Sequence, residues 1–152
     1  MKDREIYDTL RRMLGPLLIS HGFTSEGSRQ ATFHRRVSDE LFHAISCDLF
    51  AHRKAFDVIV CPCSPRFGSW ENFPDGLLVV SGSRGRLNVT AGVGSGASRF
   101  SCASPGALES SITKALLPAL AEFALPYLEQ FQALRDIVPV LEHAQWASLL
   151  EA

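Results

Sequence analysis

Several classes of protein are excluded by what this chain lacks. It has no surplus of charge. Fifteen lysines and arginines against sixteen acids give a formal net charge of −1, so nothing draws it as a whole to nucleic acid or to an anionic membrane. Its longest greasy stretch, ALLPALAEFALPYL (115–128), carries Glu122, Pro118 and Pro126. That is shorter than the roughly 20 apolar residues that span a bilayer. The start, MKDREIYD, is charged and has no apolar core, so it does not read as a signal peptide. Without an export signal, the four cysteines read as reduced thiols and the expected compartment is the cytoplasm.

Catalytic signatures are missing as well. GSRG and GVGSG do not satisfy G-x-S-x-G, and neither leads from a strand into a helix elbow. Residues 92–97 follow a predicted strand, but ASRFSCA after them is strand-like, so no helix N-terminus faces a pyrophosphate. There is no Walker lysine. Cys61-Pro62-Cys63 is a C-x-C pair and not the C-x₂-C knuckle that wraps zinc, while Cys47 and Cys102 stand alone. On a strand the pair shares one face, which permits joint ligation, but small thiols also fill sheet cores. Glu109, Glu122, Glu129 and Glu142 lie mostly thirteen or seven residues apart and read as solvated helix faces. No catalytic residue and no cofactor follow from these patterns.

What is present describes one α+β domain over residues 1–152: an N-terminal helix, an antiparallel sheet of five or six strands, and C-terminal helices packed on one face. A chain of this length buries roughly 70% of its unfolded surface, and its 46% hydrophobic and 20% charged composition is that of a globular protein. Ile6, Leu10, Met13, Leu14, Leu17 and Leu18 recur at helical spacing, which predicts a helix over about 4–21. Asp3 is the expected N-cap and Gly22 the left-handed C-cap. Gly15-Pro16 should kink or divide this helix.

Residues 24–30 read as loop. Strands are predicted over 31–37 and 41–50 around a Ser38-Asp39 turn, and over 54–62. Residues 63–76 are dense in turn formers. Three more short strands are predicted over 77–83, 86–92 and 97–103. Ser104-Pro105 is a helix start, after which Leu108, Ile112, Leu116, Leu120 and Phe123 form a stripe. From Ala115 to Leu128 the pattern is apolar on nearly every face, which calls for burial between layers or in an oligomer interface. Pro126 should restart the helix, and 137–152 reads as a final helix.

Three groups of side chains are candidates for function, each with a plainer explanation. A turn centred on Ser38-Asp39 sets His34 opposite His43, where two imidazoles can bind a metal or titrate as a pair. Half-exposed strand histidines explain them equally, and a one-residue slip separates them. Arg84, Arg86 and Arg99 flank the glycine turns and can grip an anion, or they are charges that blunt a sheet edge. Phe67, Trp70 and Phe73, among Pro65, Gly68, Pro74 and Gly76, have the composition of an interface hot spot, or they plug the end of the core.

LLISHGF running through a polar gap into ATFHRR resembles the start of bacterial proteins in the domain-of-unknown-function 4304 family. The pattern there is helix, Gly-Phe, then an aromatic strand carrying arginine. GRLNV and ALPYLEQFQALRDI are similar to its later segments, while the Gly/Ser-rich stretch 81–98 is longer and looser than its pattern. The matching positions are Gly22, Phe23, Phe33, Arg35, Arg86, Leu87, Pro126 and Phe131. The resemblance covers most of the chain at low motif specificity. It implies a small α+β domain, structural roles for those residues and no catalytic assignment.

Together these readings favour a non-enzymatic binding or protein-interaction domain, with a homodimer through the apolar C-terminal helices as a candidate assembly. The alternative is a small ligand-binding domain or enzyme acting on an anionic small molecule, through His34, His43 and the three arginines.

Overall fold

A computed structural model of the chain describes residues 1–26, 31–64 and 99–140. In order, these form α1 (Asp3–Ser20), β1 (Thr24–Glu26), β2 (Ala31–Ser38), β3 (Leu41–Leu49), β4 (Ala55–Cys63) and β5 (Arg99–Ser101). A long helical segment over 105–129 follows, then a 3₁₀ turn, Leu134–Val140. Among the described residues the sheet has five strands in the order β1-β2-β3-β4-β5, every neighbouring pair antiparallel. This is the α+β arrangement that the hydrophobic patterns predict.

Helix α1 forms because Ile6, Leu10, Leu14 and Leu18 fall on one face and are buried there. It starts one residue earlier than expected. The Lys2 carbonyl accepts from Glu5 and Ile6, so Lys2 is the N-cap, and Asp3 joins Glu5 as an acid in the first turn. The other end is a Schellman motif. Phe23 N–H bonds the Leu18 carbonyl, Gly22 N–H bonds that of Ile19, and Gly22 takes φ +86°. The predicted division at Gly15-Pro16 does not occur, and α1 runs through Pro16. A mid-helix proline costs about 3 kcal/mol, whereas burying each of Leu10, Leu14 and Leu18 contributes roughly 1.5–3 kcal/mol. Gly15 also has no Cβ to strike the proline ring.

Two predictions for the first strands need correction. The loop assigned to 24–30 contains β1, whose three polar residues pair with Thr32–His34 of β2. In the next hairpin the pairing shifts between Arg36 and Ser38, so Ser38 faces Leu41. Val37 is the extra residue of a β-bulge. That slip sets His34 opposite Ala44 and Arg35 opposite His43. The two histidines therefore lie on opposite faces of the sheet, and the expected pair does not exist.

Helices cover the face that carries Phe33, Ile45, Cys47, Phe56, Val58, Val60 and Phe100, which share one core with α1 and Leu108 to Leu128. The reverse face is closed too, since Thr32, Ala44, Ser46, Cys61 and Cys63 are all buried. β4 consequently reads as a nearly continuous buried run, not an alternation.

The segment 105–129 starts as expected, with Ser104 Oγ accepting from Ala107 N–H at 3.1 Å and Pro105 in the first turn. Its course is α-helix (Pro105–Ser111), π-turn (Ile112–Leu116), a short α segment (Leu117–Ala119), a second π-turn (Leu120–Ala124), then α-helix to Glu129. Each π-turn precedes a proline, Pro118 or Pro126, so Pro126 continues the helix and does not restart it. In an α-helix each proline ring would press on the carbonyl four residues back. The wider turn closes instead through Leu117 N–H to Ile112 O and Leu125 N–H to Leu120 O.

The π-turns also suit the spacing of the buried residues Leu108, Ile112, Leu116, Leu120, Ala124 and Leu128, which recur every four positions. On a regular α-helix a four-residue step overshoots a full turn by about 40°, and five steps would carry the stripe round to solvent. Wider turns hold it against the sheet. The apolar surplus of 115–128 is thus turned into the domain's own core. The final helix predicted over 137–152 begins as the 3₁₀ turn, and residues 141–152 lie outside the described residues.

Candidate functional site

Arg35 is in phase with Ala31 and Phe33 on β2, so the strand points it toward the helices. An arginine at such a position must find partners for its donors. Its Nε donates to His43 Nδ1 at 3.0 Å, Nη1 to the His21 carbonyl at 2.8 Å, and Nη2 to Glu129 Oε1 at 2.6 Å. The guanidinium also lies 4.6 Å from the centre of the Phe23 ring. One side chain, 13% exposed, thus joins the end of α1, the sheet and the end of the C-terminal helix.

Arg35 also fixes the state of His43. A guanidinium only donates, so Nδ1 must be the accepting nitrogen and Nε2 carries the hydrogen. That N–H donates to the Phe131 carbonyl at 2.7 Å. His43 is fully buried, and its pKa is lowered to about 4. Burial is the main cause; Arg35 lowers it further, while the Phe131 carbonyl and Glu129 oppose. With both nitrogens engaged and its proton affinity depressed, His43 is a structural member of the node and not a general base for neutral pH.

Beside this node a groove of about 460 Å³ opens between the two helices, lined by His21, Ala121, Leu125, Pro126 and Glu129. Its floor is apolar and Glu129 stands at one side. The side chain of Glu129 is 57% exposed, and its Oε2 accepts from Gln132 Nε2 at 3.2 Å. The π-turn over Leu120–Ala124 lies in this stretch of the helix, directly before Leu125 and Pro126 of the lining.

The other sequence candidates fall elsewhere. Phe67, Trp70, Phe73, Arg84 and Arg86 lie outside the described residues, and Arg99 opens β5 opposite Asp57. His34 sits at the β1 side of the sheet, its Nε2 3.5 Å from Thr24 Oγ1. Cys61 and Cys63 do share a face, with sulfurs 3.9 Å apart, but they are packed with Ala44, Ile59 and Phe42. Burial pushes the thiols of Cys47, Cys63 and Cys102 up, which keeps them protonated and poor as ligands or nucleophiles. Among the described residues no three His, Cys, Asp or Glu side chains are grouped to hold a metal ion. Nor is any described helix long and apolar enough to cross a membrane.

Motif reading missed the Arg35–Glu129 contact. One signal was available: in ATFHRRV the inward phase runs Ala, Phe, Arg, Val, and an inward arginine announces a buried partner. Comparison with protein-family models, curated proteins and solved structures returned no match.

Proposed function

We propose that this domain is a non-enzymatic binding module that holds part of a protein partner in the groove between the end of α1 and the C-terminal helix. The observation that carries this reading is the groove itself. It has an apolar floor of Ala121, Leu125 and Pro126, and a wall held in place by Arg35. Preorganised walls lower the ordering cost of binding. The reactive side chains nearby favour binding over catalysis, since His43 is locked neutral by two hydrogen bonds. The partner is assigned to the groove and not to a dimer seam because Leu116, Leu120, Ala124 and Leu128 already pack inside the domain.

Kinship with the domain-of-unknown-function 4304 family belongs to the same proposal. It is supported by the way Gly22, Phe23, Arg35 and Phe131, four of the matching positions, gather around the node that walls the groove.

Ala121→Arg fills the groove from an exposed position. Immobilised wild-type protein and A121R are exposed to an extract of the source organism, and retained proteins are compared by mass spectrometry. Proteins held by wild type and lost with A121R support the reading. Equal retention by both sinks it.

A further inference from the structure

We infer that the groove selects a cationic apolar peptide segment, one in which a lysine or arginine neighbours a bulky aliphatic or aromatic side chain. This inference deepens the proposed function and rests on it. The volume of about 460 Å³ falls within the range of specific binding sites. Leu125, Pro126 and Ala121 give it an apolar floor suited to a side chain of the incoming segment.

Charge decides the rest. Glu129 belongs to the lining of the groove, and Glu122, exposed one turn before Pro126 on the same helix, lies just outside that lining. The cation behind Glu129, Arg35, is largely covered and already committed to the end of α1, His43 and Glu129. Oε1 of Glu129 is held in place by Arg35, and a carboxylate has about four acceptor positions. Glu129 Oε2 also accepts from Gln132 Nε2, so a second cation would use the acceptor positions left over on the two oxygens. A groove with fixed acceptors favours a ligand that brings donors.

The test pans a phage-displayed library of random decapeptides against the full chain, then measures enriched peptides against wild type, A121R and Glu122→Lys. Both substituted positions are exposed, and circular dichroism with thermal melting checks that each variant folds. The expected peptides carry Lys or Arg beside Leu, Ile or Phe and weaken as salt rises. They lose more than about tenfold in affinity with A121R and roughly three- to tenfold with E122K. Peptides that depend on Ala121 but carry no cation, or ignore E122K, overturn this inference and leave the groove as a binding site. If no enriched peptide depends on Ala121, the inference and the proposed function both fall.

Discussion

Arg35 and Glu129, 94 positions apart in the chain, meet at 2.6 Å, and the two ends of this ion pair are unequal. Arg35 is mostly buried and holds three other groups, while Glu129 is more than half exposed. Loss of either partner should therefore have different consequences.

Arg35→Met should destabilise the fold by about 2–4 kcal/mol, because it leaves His43 Nδ1 and the His21 carbonyl without their donor. Glu129→Gln should cost less than about 1 kcal/mol, since solvent screens the exposed carboxylate. Urea denaturation of both variants measures the asymmetry. Equal losses would mean that Arg35 acts through Glu129 alone. Arg35→Lys should recover only part of the loss, because an ammonium cannot span three acceptors in one plane.

Stability should depend on pH through His43. Above pH 6.5 the ring is neutral in the folded and the unfolded chain alike. Between 6.5 and about 4 the unfolded chain takes up a proton that the folded chain refuses. Stability is therefore fully present above 6.5 and falls as pH falls through that window, by about 2 kcal/mol between pH 7.5 and 5. Urea midpoints across that range should show the slope, and His43→Gln should flatten it.

Gly22→Ala should cost about 1–2 kcal/mol. An added Cβ meets no atom within 4 Å, so the penalty comes from the φ of +86° alone. Gly22→Asn should cost less, because asparagine tolerates this region better. Thermal melting of the two variants separates the backbone effect from packing: equal costs would contradict it.

Pro126→Ala should gain far less than the roughly 3 kcal/mol that removing a mid-helix proline ordinarily returns. Without the ring the turn over Leu120–Ala124 is kept wide only by the four-residue spacing of its buried side chains, and tightening it rotates Glu129 away from Arg35. A double-mutant cycle of R35M and E129Q, run in the wild type and again in P126A, reads this. The coupling between Arg35 and Glu129 should shrink in P126A, and an unchanged coupling would show that the π-turn does not set the contact.

Much of the fold was legible because it is local. α1, its glycine terminus, the Ser104-Pro105 start and the three long strands each follow from spacing and capping within a few residues. The errors arose where distant contacts decide. β1 is three polar residues that become a strand only by pairing with Phe33 and its neighbours. The hairpin register differs by one from the turn-centred expectation because a bulge at Val37 has no sequence mark, and that one residue separates His34 from His43. Proline was expected to kink or divide the first helix at 16 and to restart the helix at 126, yet at both positions burial on both sides keeps the chain helical. The candidate site was the least legible part, since its members come from α1, β2, β3 and the far end of the C-terminal helix.

That closure by a late segment bears on how the protein is made. A ribosome delivers α1, β2, β3 and β4 well before residues 105–129, so Phe33, Ile45, Val58 and Val60 emerge with α1 alone to cover them. Arg35 likewise waits for Glu129 and His43 for the carbonyl of Phe131. Long-range closure of this kind slows folding and lengthens the time that unpaired apolar strands are exposed. During synthesis the nascent sheet therefore keeps part of its apolar face open until residues 105–129 have left the exit tunnel.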